Sequence, residues 1–235
     1  MQTEVTLTAG GGVQYPGVLT VPDDADGPRP ALMMIYEVFG MTDEMKRVAR
    51  DLAAEGYVVL IPDLFARSSP RALCVARTMR TMSRGEGPEL HDLETARRWL
   101  AERPEVDADR IGAIGFCMGG SFALMLARTG LYKVSAPFYG TVQPDLPRSC
   151  PVVASYGGKD RITAANAPKL TARLDELGVP HDVKVYPDAG HSFFTRTEGL
   201  FGRIAPRTPL HAEYHEPSAK DAHERIVAFF AEHLA

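Results

Sequence analysis

The chain has 235 residues, 45% of them hydrophobic and 24% charged, which is ordinary globular usage and enough apolar material for a sizeable core. Its formal net charge of −4 excludes a general electrostatic affinity for nucleic acid, and no apolar run approaches the ~18 residues of a membrane span. The start, MQTEVTLTAGGG, has neither the basic nor the apolar region of a secretory signal, and there are three cysteines, so the expectation is a cytoplasmic protein with no disulfide framework.

Residues 3–8 and 13–21 read as an opening hairpin, with 9–12 as its turn. The continuous apolar run at 31–36 predicts a strand covered on both faces. Met45, Val48, Leu52 and Ala53 share one face of a helix over 42–55, with Thr42 as its N-cap and Gly56 as its stop. A second buried strand follows at 57–62. The stretch 64–88 carries Ser68-Ser69-Pro70, five arginines (Arg67, Arg71, Arg77, Arg80, Arg84) and weak periodicity, and reads as a loop or broken helix overhanging the end of that strand. A helix near 89–102, a strand at 110–115 and a helix at 118–129 come next. Strands follow near 133–138, 151–156 and 182–186, with a helix at about 163–177 between the last two and a closing helix at about 218–234. Strand alternating with helix means crossover units and a mostly parallel central sheet with helices on both faces, here as one domain over 1–235. Such sheets bind ligands outside the carboxyl ends of their strands.

Three segments at those ends carry chemistry. Gly115-Phe116-Cys117-Met118-Gly119 has the form G-x-C-x-G between a buried strand and a helix. A nucleophile there sits on a tight turn, and small residues two before and two after let the backbones pass. The helix N-terminus beneath Cys117 favours a thiolate, and the Met118 N–H can face an oxyanion. A lone G-x-C-x-G also fits a buried cysteine with packing glycines, but the flanking strand and helix are the context the motif needs. The strand at 151–156 ends in Gly157-Gly158-Lys159-Asp160, where Asp160 either serves the site or merely caps the next helix. The strand at 182–186 leads to Ala189-Gly190-His191-Ser192-Phe193. The order nucleophile, acid, histidine singles out Cys117, Asp160 and His191 from the other candidates. Asp160 would fix the His191 tautomer, and His191 would take the Cys117 proton. His211 and His215 lie four apart without a third ligand at a recognised spacing, so no metal is expected.

With these motifs in this order, the chain resembles the dienelactone hydrolase family of the α/β-hydrolase superfamily. Tyr36-Glu37-Val38-Phe39-Gly40 and Pro62-Asp63-Leu64-Phe65-Ala66-Arg67 also look like family segments. The resemblance implies an α/β-hydrolase fold and a cysteine-dependent hydrolase of carboxylic esters or lactones, conversion of dienelactone to maleylacetate among them, through an acyl-enzyme and without a cofactor. It implies that Glu37 modulates the nucleophile by pairing with the thiol in the resting enzyme. It also implies that the backbone N–H of Val38 joins that of Met118 in the oxyanion hole. Arginines of the overhang (Arg77, Arg80) and one just past the histidine (Arg196) would bind a substrate carboxylate. A broad carboxylesterase, a thioesterase or peptidase, and a non-catalytic binding protein keeping the fold remain alternatives. The expected partner is a small-molecule ester or lactone, with the chain a monomer or small homo-oligomer.

Overall fold

Apolar runs without polar alternation need cover on both faces, and the two that read as strands, at 31–36 and 57–62, lie side by side at the centre of the structure. A computed structural model describes residues 1–24, 26–67, 70–143, 145–197 and 199–235. Ser68 and Ser69 of the overhang lie outside them. The opening hairpin is β1 (Gln2–Thr8) and β2 (Gln14–Thr20), joined through a 3-10 turn at Gly10–Gly12. Then come β3 (Arg29–Ile35), α1 (Asp43–Ala54), β4 (Val58–Pro62), α2 (Arg71–Arg84) and α3 (Pro88–Ala101). They are followed by β5 (Val106–Phe116), α4 (Met118–Ala127), β6 (Ser135–Phe138), β7 (Val152–Gly157), α5 (Asn166–Leu177) and β8 (His181–Tyr186). The short α6 (Gly199–Ile204) and the closing α7 (Glu216–His233) complete the chain.

The eight strands form one sheet in the order β1-β2-β4-β3-β5-β6-β7-β8. The β1–β2 and β2–β4 pairs are antiparallel and every other pair is parallel. All five residues of β4 and the last five of β3 are buried. The chain runs from β3 outward to β4, then turns back past β3 to β5 and onward. Right-handed crossovers therefore place α1 on the face opposite α3, α4 and α5. A 3.1 Å polar contact between Glu55 and His223 joins α1 to α7 on the first face, while α2 packs on α3 and α4 on the second. The reversal falls between β3 and β5, so the ligand crevice of such a sheet opens between their carboxyl ends.

Thr42 caps α1 as its sequence position predicts, with its hydroxyl accepting from the Met45 N–H at 3.3 Å. The overhang differs from the expectation: Arg71–Arg84 is one continuous helix rather than a loop or broken helix. Its buried face is Cys74, Thr78 and Thr81, and Gly85 closes it in the left-handed conformation. That face is polar in composition, so no hydrophobic period marks it. The Glu89 carboxylate at the start of α3, wholly buried, pairs with Arg77 and accepts from the Thr81 hydroxyl. Beside it Arg67 pairs with buried Asp92 at 2.8 Å. Two further boundaries moved: α5 starts at Asn166, because residues 160–163 form a turn around the Asp160 carboxylate, and β5 begins four residues early, pairing Val106 with Arg29.

Removing Glu89 leaves Arg77 without its anion in a largely desolvated seam. Glu89→Ala is expected to lower unfolding free energy by about 3 kcal/mol, the low end for a broken buried pair because Arg77 keeps some solvent contact. Arg80→Ala, on the exposed side of the same helix, should stay within about 0.5 kcal/mol. Urea denaturation of both variants checks the contrast.

Candidate active site

Cys117 sits between β5 and α4 with φ 55° and ψ −114°, a conformation that costs a non-glycine residue about 1–3 kcal/mol. The surrounding glycines permit it. A Cβ on Gly115 would lie 1.9 Å from the Gly119 carbonyl oxygen, and one on Gly119 would lie 2.1 Å from that of Ile35. The Cys117 N–H donates to the Phe138 carbonyl at 3.1 Å, tying the turn to β6. Beneath it Phe116 packs on Phe138 and Phe194, with ring centroids 4.9 and 5.4 Å away. Met118 is the first residue of α4, so its N–H has no acceptor within the helix. Cys117 remains partly exposed.

His191 follows β8 on a loop that is clamped from behind. Its N–H donates to the Leu210 carbonyl at 2.8 Å, and its own carbonyl accepts from the Glu213 N–H at 3.2 Å. Gly190 is required here, since a Cβ would lie 1.7 Å from the His211 carbonyl oxygen. The ring Nδ1 lies 2.6 Å from Asp160 Oδ2. Asp160 is completely buried, and its other oxygen accepts from the N–H groups of Ile162 and Thr163 at 2.9 and 3.1 Å. The Thr163 hydroxyl also donates to Oδ2. Burial opposes ionisation of Asp160, but the hydrogen bonds and charge of His191, with those from Thr163 and Ile162, hold its carboxyl below the usual range. Burial likewise opposes the imidazolium of His191. Hydrogen bonds to Asp160 and Cys117 overcome it and raise the pKa to about 10. With Nδ1–H given to the carboxylate, the other ring nitrogen is left for the Cys117 thiol.

Glu37 leaves the end of β3 and is buried. Its Oε1 accepts from the Thr195 hydroxyl at 2.9 Å and the Tyr139 hydroxyl at 3.2 Å. The pairing with the thiol expected from the resemblance is not what this structure holds: the thiol faces His191, and the carboxylate is met by the hydroxyls of Thr195, Tyr139 and Ser192. Burial raises the Glu37 pKa, while hydrogen bonds from Thr195, the charge of His191 and bonds from Ser192 and Tyr139 counter it in part. Burial and the charge of Glu37 also push the Tyr139 phenol well up, so it stays a donor. Tyr139 and Thr195 are absent from the residues read out of the sequence. Thr195 meets Glu37 across 158 positions of chain, and a lone hydroxyl carries no local motif. Among the described residues the non-glycine positions at positive φ are Cys117, Tyr139, Ser192 and His211. The first three belong to this cluster.

Arg77 is committed to Glu89, and Arg80 is exposed on α2. Arg196 lies elsewhere: it lines a cleft of about 570 Å³ together with Glu37, Glu44, Arg47 and Arg50. Its guanidinium sits 4.2 Å from the centre of the Tyr214 ring. Cys117 does not line this cleft, which approaches the site through Glu37. Val38 is 38% exposed beside Glu37. Arg71, at the start of α2, donates to the Phe39 carbonyl at 3.2 Å and lies over Phe65, so the overhang reaches the Val38 loop through Arg71 rather than Arg77. Among the described residues no group of three His, Cys, Asp or Glu side chains is placed to hold a metal ion, and no helix is long and apolar enough to cross a membrane.

A family model described as the dienelactone hydrolase family matches residues 15–234. A Rhodococcus opacus carboxymethylenebutenolidase is 29% identical over 222 residues, spanning 88% of this chain and 83% of that protein. A solved structure named m3DLH superposes with a TM-score of 0.82 at 26% identity, covering 100% of this chain and 99% of that one. A dienelactone hydrolase-like promiscuous phosphotriesterase from metagenomic libraries gives 0.81 at 23% identity, covering 99% and 98%, and shares the fold.

The His191 ring offers a direct test of the site's electrostatics. Its NMR titration should have a midpoint near 10, and Asp160→Asn should lower it. Adding Cys117→Ala removes the second hydrogen-bond partner that opposes burial, so the midpoint should fall further. An unmoved midpoint would refute the charge assignment. By linkage, the stability that His191 contributes is complete below pH 6.5 and is lost as pH rises toward about 10.

Proposed function

This chain belongs to the dienelactone hydrolase family, and from that premise we propose that it hydrolyses carboxylic esters or lactones with Cys117 as nucleophile. The observation that supports this most directly is the chain of contacts from Asp160 through His191 to a cysteine on a strained strand-to-helix turn. In this mechanism the Cys117 thiolate attacks the substrate carbonyl carbon. The developing oxyanion is held by the N–H groups of Met118 and Val38. As the tetrahedral intermediate collapses, the imidazolium of His191 protonates the leaving alkoxide, leaving a thioester on Cys117. His191 then takes a proton from water, the hydroxide attacks the thioester, and the thiolate is released with the acid. Asp160 holds the ring orientation and stabilises the imidazolium in both halves.

Among the arginines proposed to hold a substrate carboxylate, Arg196 is favoured by its position on the cleft beside Glu37, where a guanidinium can grip an anion by two parallel hydrogen bonds. The commitment of Arg77 to Glu89 favours a second reading, a broader carboxylesterase acting on neutral esters. The exposed Val38 and Ile162, flanking Glu37 and Asp160, are apolar surface that suits such a substrate.

Dienelactone and a small neutral ester should be offered side by side to wild type and Cys117→Ala. Turnover of at least one is expected, falling by about a thousandfold or more in the variant; retained activity would remove the nucleophile from the mechanism. Arg196→Ala is expected to raise KM for the anionic lactone and leave the neutral ester unaffected. An equal effect on both would end its anion-binding role.

A further inference from the structure

An arginine side chain has many rotamers, and one that is to meet a ligand must be held where the ligand arrives. The backbone of Arg196 is held by α1: its N–H donates to Glu44 at 2.8 Å, and Glu44 is paired with Arg47 at 2.7 Å. Its guanidinium is held by a ring instead, 4.2 Å from the centre of Tyr214. Tyr214 is fixed in turn. It lies between Glu213, whose N–H donates to the His191 carbonyl at 3.2 Å, and His215, whose N–H donates to the Phe193 carbonyl at 2.9 Å. The segment that clamps the candidate catalytic histidine thus also carries this ring. The ring stands at a partition. On one side is the cleft that Arg196 lines beside Glu37. On the other is a groove of about 600 Å³ between α1 and α7, lined by Tyr214 with Asp51, Glu55, Glu216 and Glu224. Asp51 is taken by Arg47, and Glu55 meets His223. The ion pairs of α7 run from Asp221, His223 and Arg225, so among the described residues Glu216 and Glu224 have none. A guanidinium free to swing would be drawn to those carboxylates.

We propose that Tyr214 is a specificity-determining positioning residue, whose ring holds the Arg196 guanidinium on the Glu37 side of the partition and so gives the site its preference for esters or lactones that carry a carboxylate. This rests on the reading of Arg196 as the group that meets the substrate anion. With its face on the ring, the planar guanidinium keeps its N–H edge for a carboxylate. The rotamer freedom it would lose on binding is lost beforehand, which favours the anionic substrate without any new contact to it. Tyr214 lines the groove and not the cleft, so it acts through Arg196 and does not touch the substrate. Of the other cations lining the cleft, Arg47 is committed to Glu44 and Asp51, and Arg50 donates to the Gln2 side chain at 2.9 Å. Arg196 is the guanidinium on offer. A neutral ester has no use for it and gains nothing from the ring behind it.

The test compares kcat and KM for dienelactone and for a small neutral ester across Tyr214→Leu, Tyr214→Phe, Arg196→Ala and the Tyr214→Leu, Arg196→Ala double variant. Tyr214→Leu should raise KM for the anionic lactone about fivefold, the size of a cation–π contact at a partly exposed site. Its kcat, and both constants for the neutral ester, should stay at the wild-type values. Tyr214→Phe keeps the ring face and should behave as wild type. The double variant should be no weaker on the lactone than Arg196→Ala alone. A ring that merely braced the His191 loop would lower kcat on both substrates when removed, and that result would overturn the proposal. So would a loss in Tyr214→Leu that persists undiminished without Arg196. An anion-selective loss in Arg196→Ala with none in Tyr214→Leu ends this proposal alone, whereas no selective loss in either removes the reading of Arg196 beneath it. Calorimetry of the lactone on the Cys117→Ala protein reads the same contrast without turnover. There Tyr214→Leu should raise Kd about fivefold, whether or not the hydrolytic chemistry is as described, and an unchanged Kd would overturn the proposal.

Discussion

The 2.6 Å contact between His191 and Asp160 is the interaction on which the rest of the site depends. It joins the loops after β7 and β8, and each partner is useless alone. Burial disfavours the charged form of both groups, so either one by itself would tend to be neutral. Together, each supplies the opposite charge and the hydrogen bond that the other needs. The fold serves this pair by making it inescapable: Asp160 is held by two backbone N–H groups and the Thr163 hydroxyl, and His191 by backbone bonds on both sides.

The remaining members are arranged around that pair by close backbone approach rather than by side-chain packing. The turn at Cys117 works because Gly115 and Gly119 allow strand, turn and helix to touch. The loop at His191 works because Gly190 lies flat against the His211 carbonyl. Backbone conformations that would be avoided elsewhere gather at Cys117, Tyr139 and Ser192. The broad parallel sheet below offers the rigidity that keeps them there, since β3, β5, β6, β7 and β8 all end at this edge and pair with their neighbours up to it.

Charge is handled differently on the overhang. There Arg77 and Arg67 are matched to Glu89 and Asp92 in a seam between α2, α3 and the first turn of the chain. These arginines hold a helix in place. A cation meant for a ligand needs to be free of other anions, and Arg77 has given its Nε–H to the buried carboxylate of Glu89. The same residue type in the same segment thus divides into structural and available members, and a list of arginines cannot make that division.

Much of the fold was legible in the chain itself, because its signals are local. The unbroken apolar runs that became β3 and β4 read as strands covered on both faces. The Thr42 cap and the glycines around Cys117 report backbone geometry directly, and the order of Cys117, Asp160 and His191 after β5, β7 and β8 follows from covalent connectivity. What was missed depends on partners distant in sequence. The helix at Arg71–Arg84 buries Cys74, Thr78 and Thr81, the last against Glu89, so its period is invisible without α3 beside it. Tyr139 and Thr195 are an ordinary tyrosine and threonine until the sheet brings Glu37 between them. The sequence by itself determined most of the elements, their order and the candidate reactive side chains, because these rest on spacing and backbone sterics. Only the tertiary structure decided which polar groups are partnered, since a hydrogen bond or an ion pair is a property of two residues and of the distance that folding leaves between them.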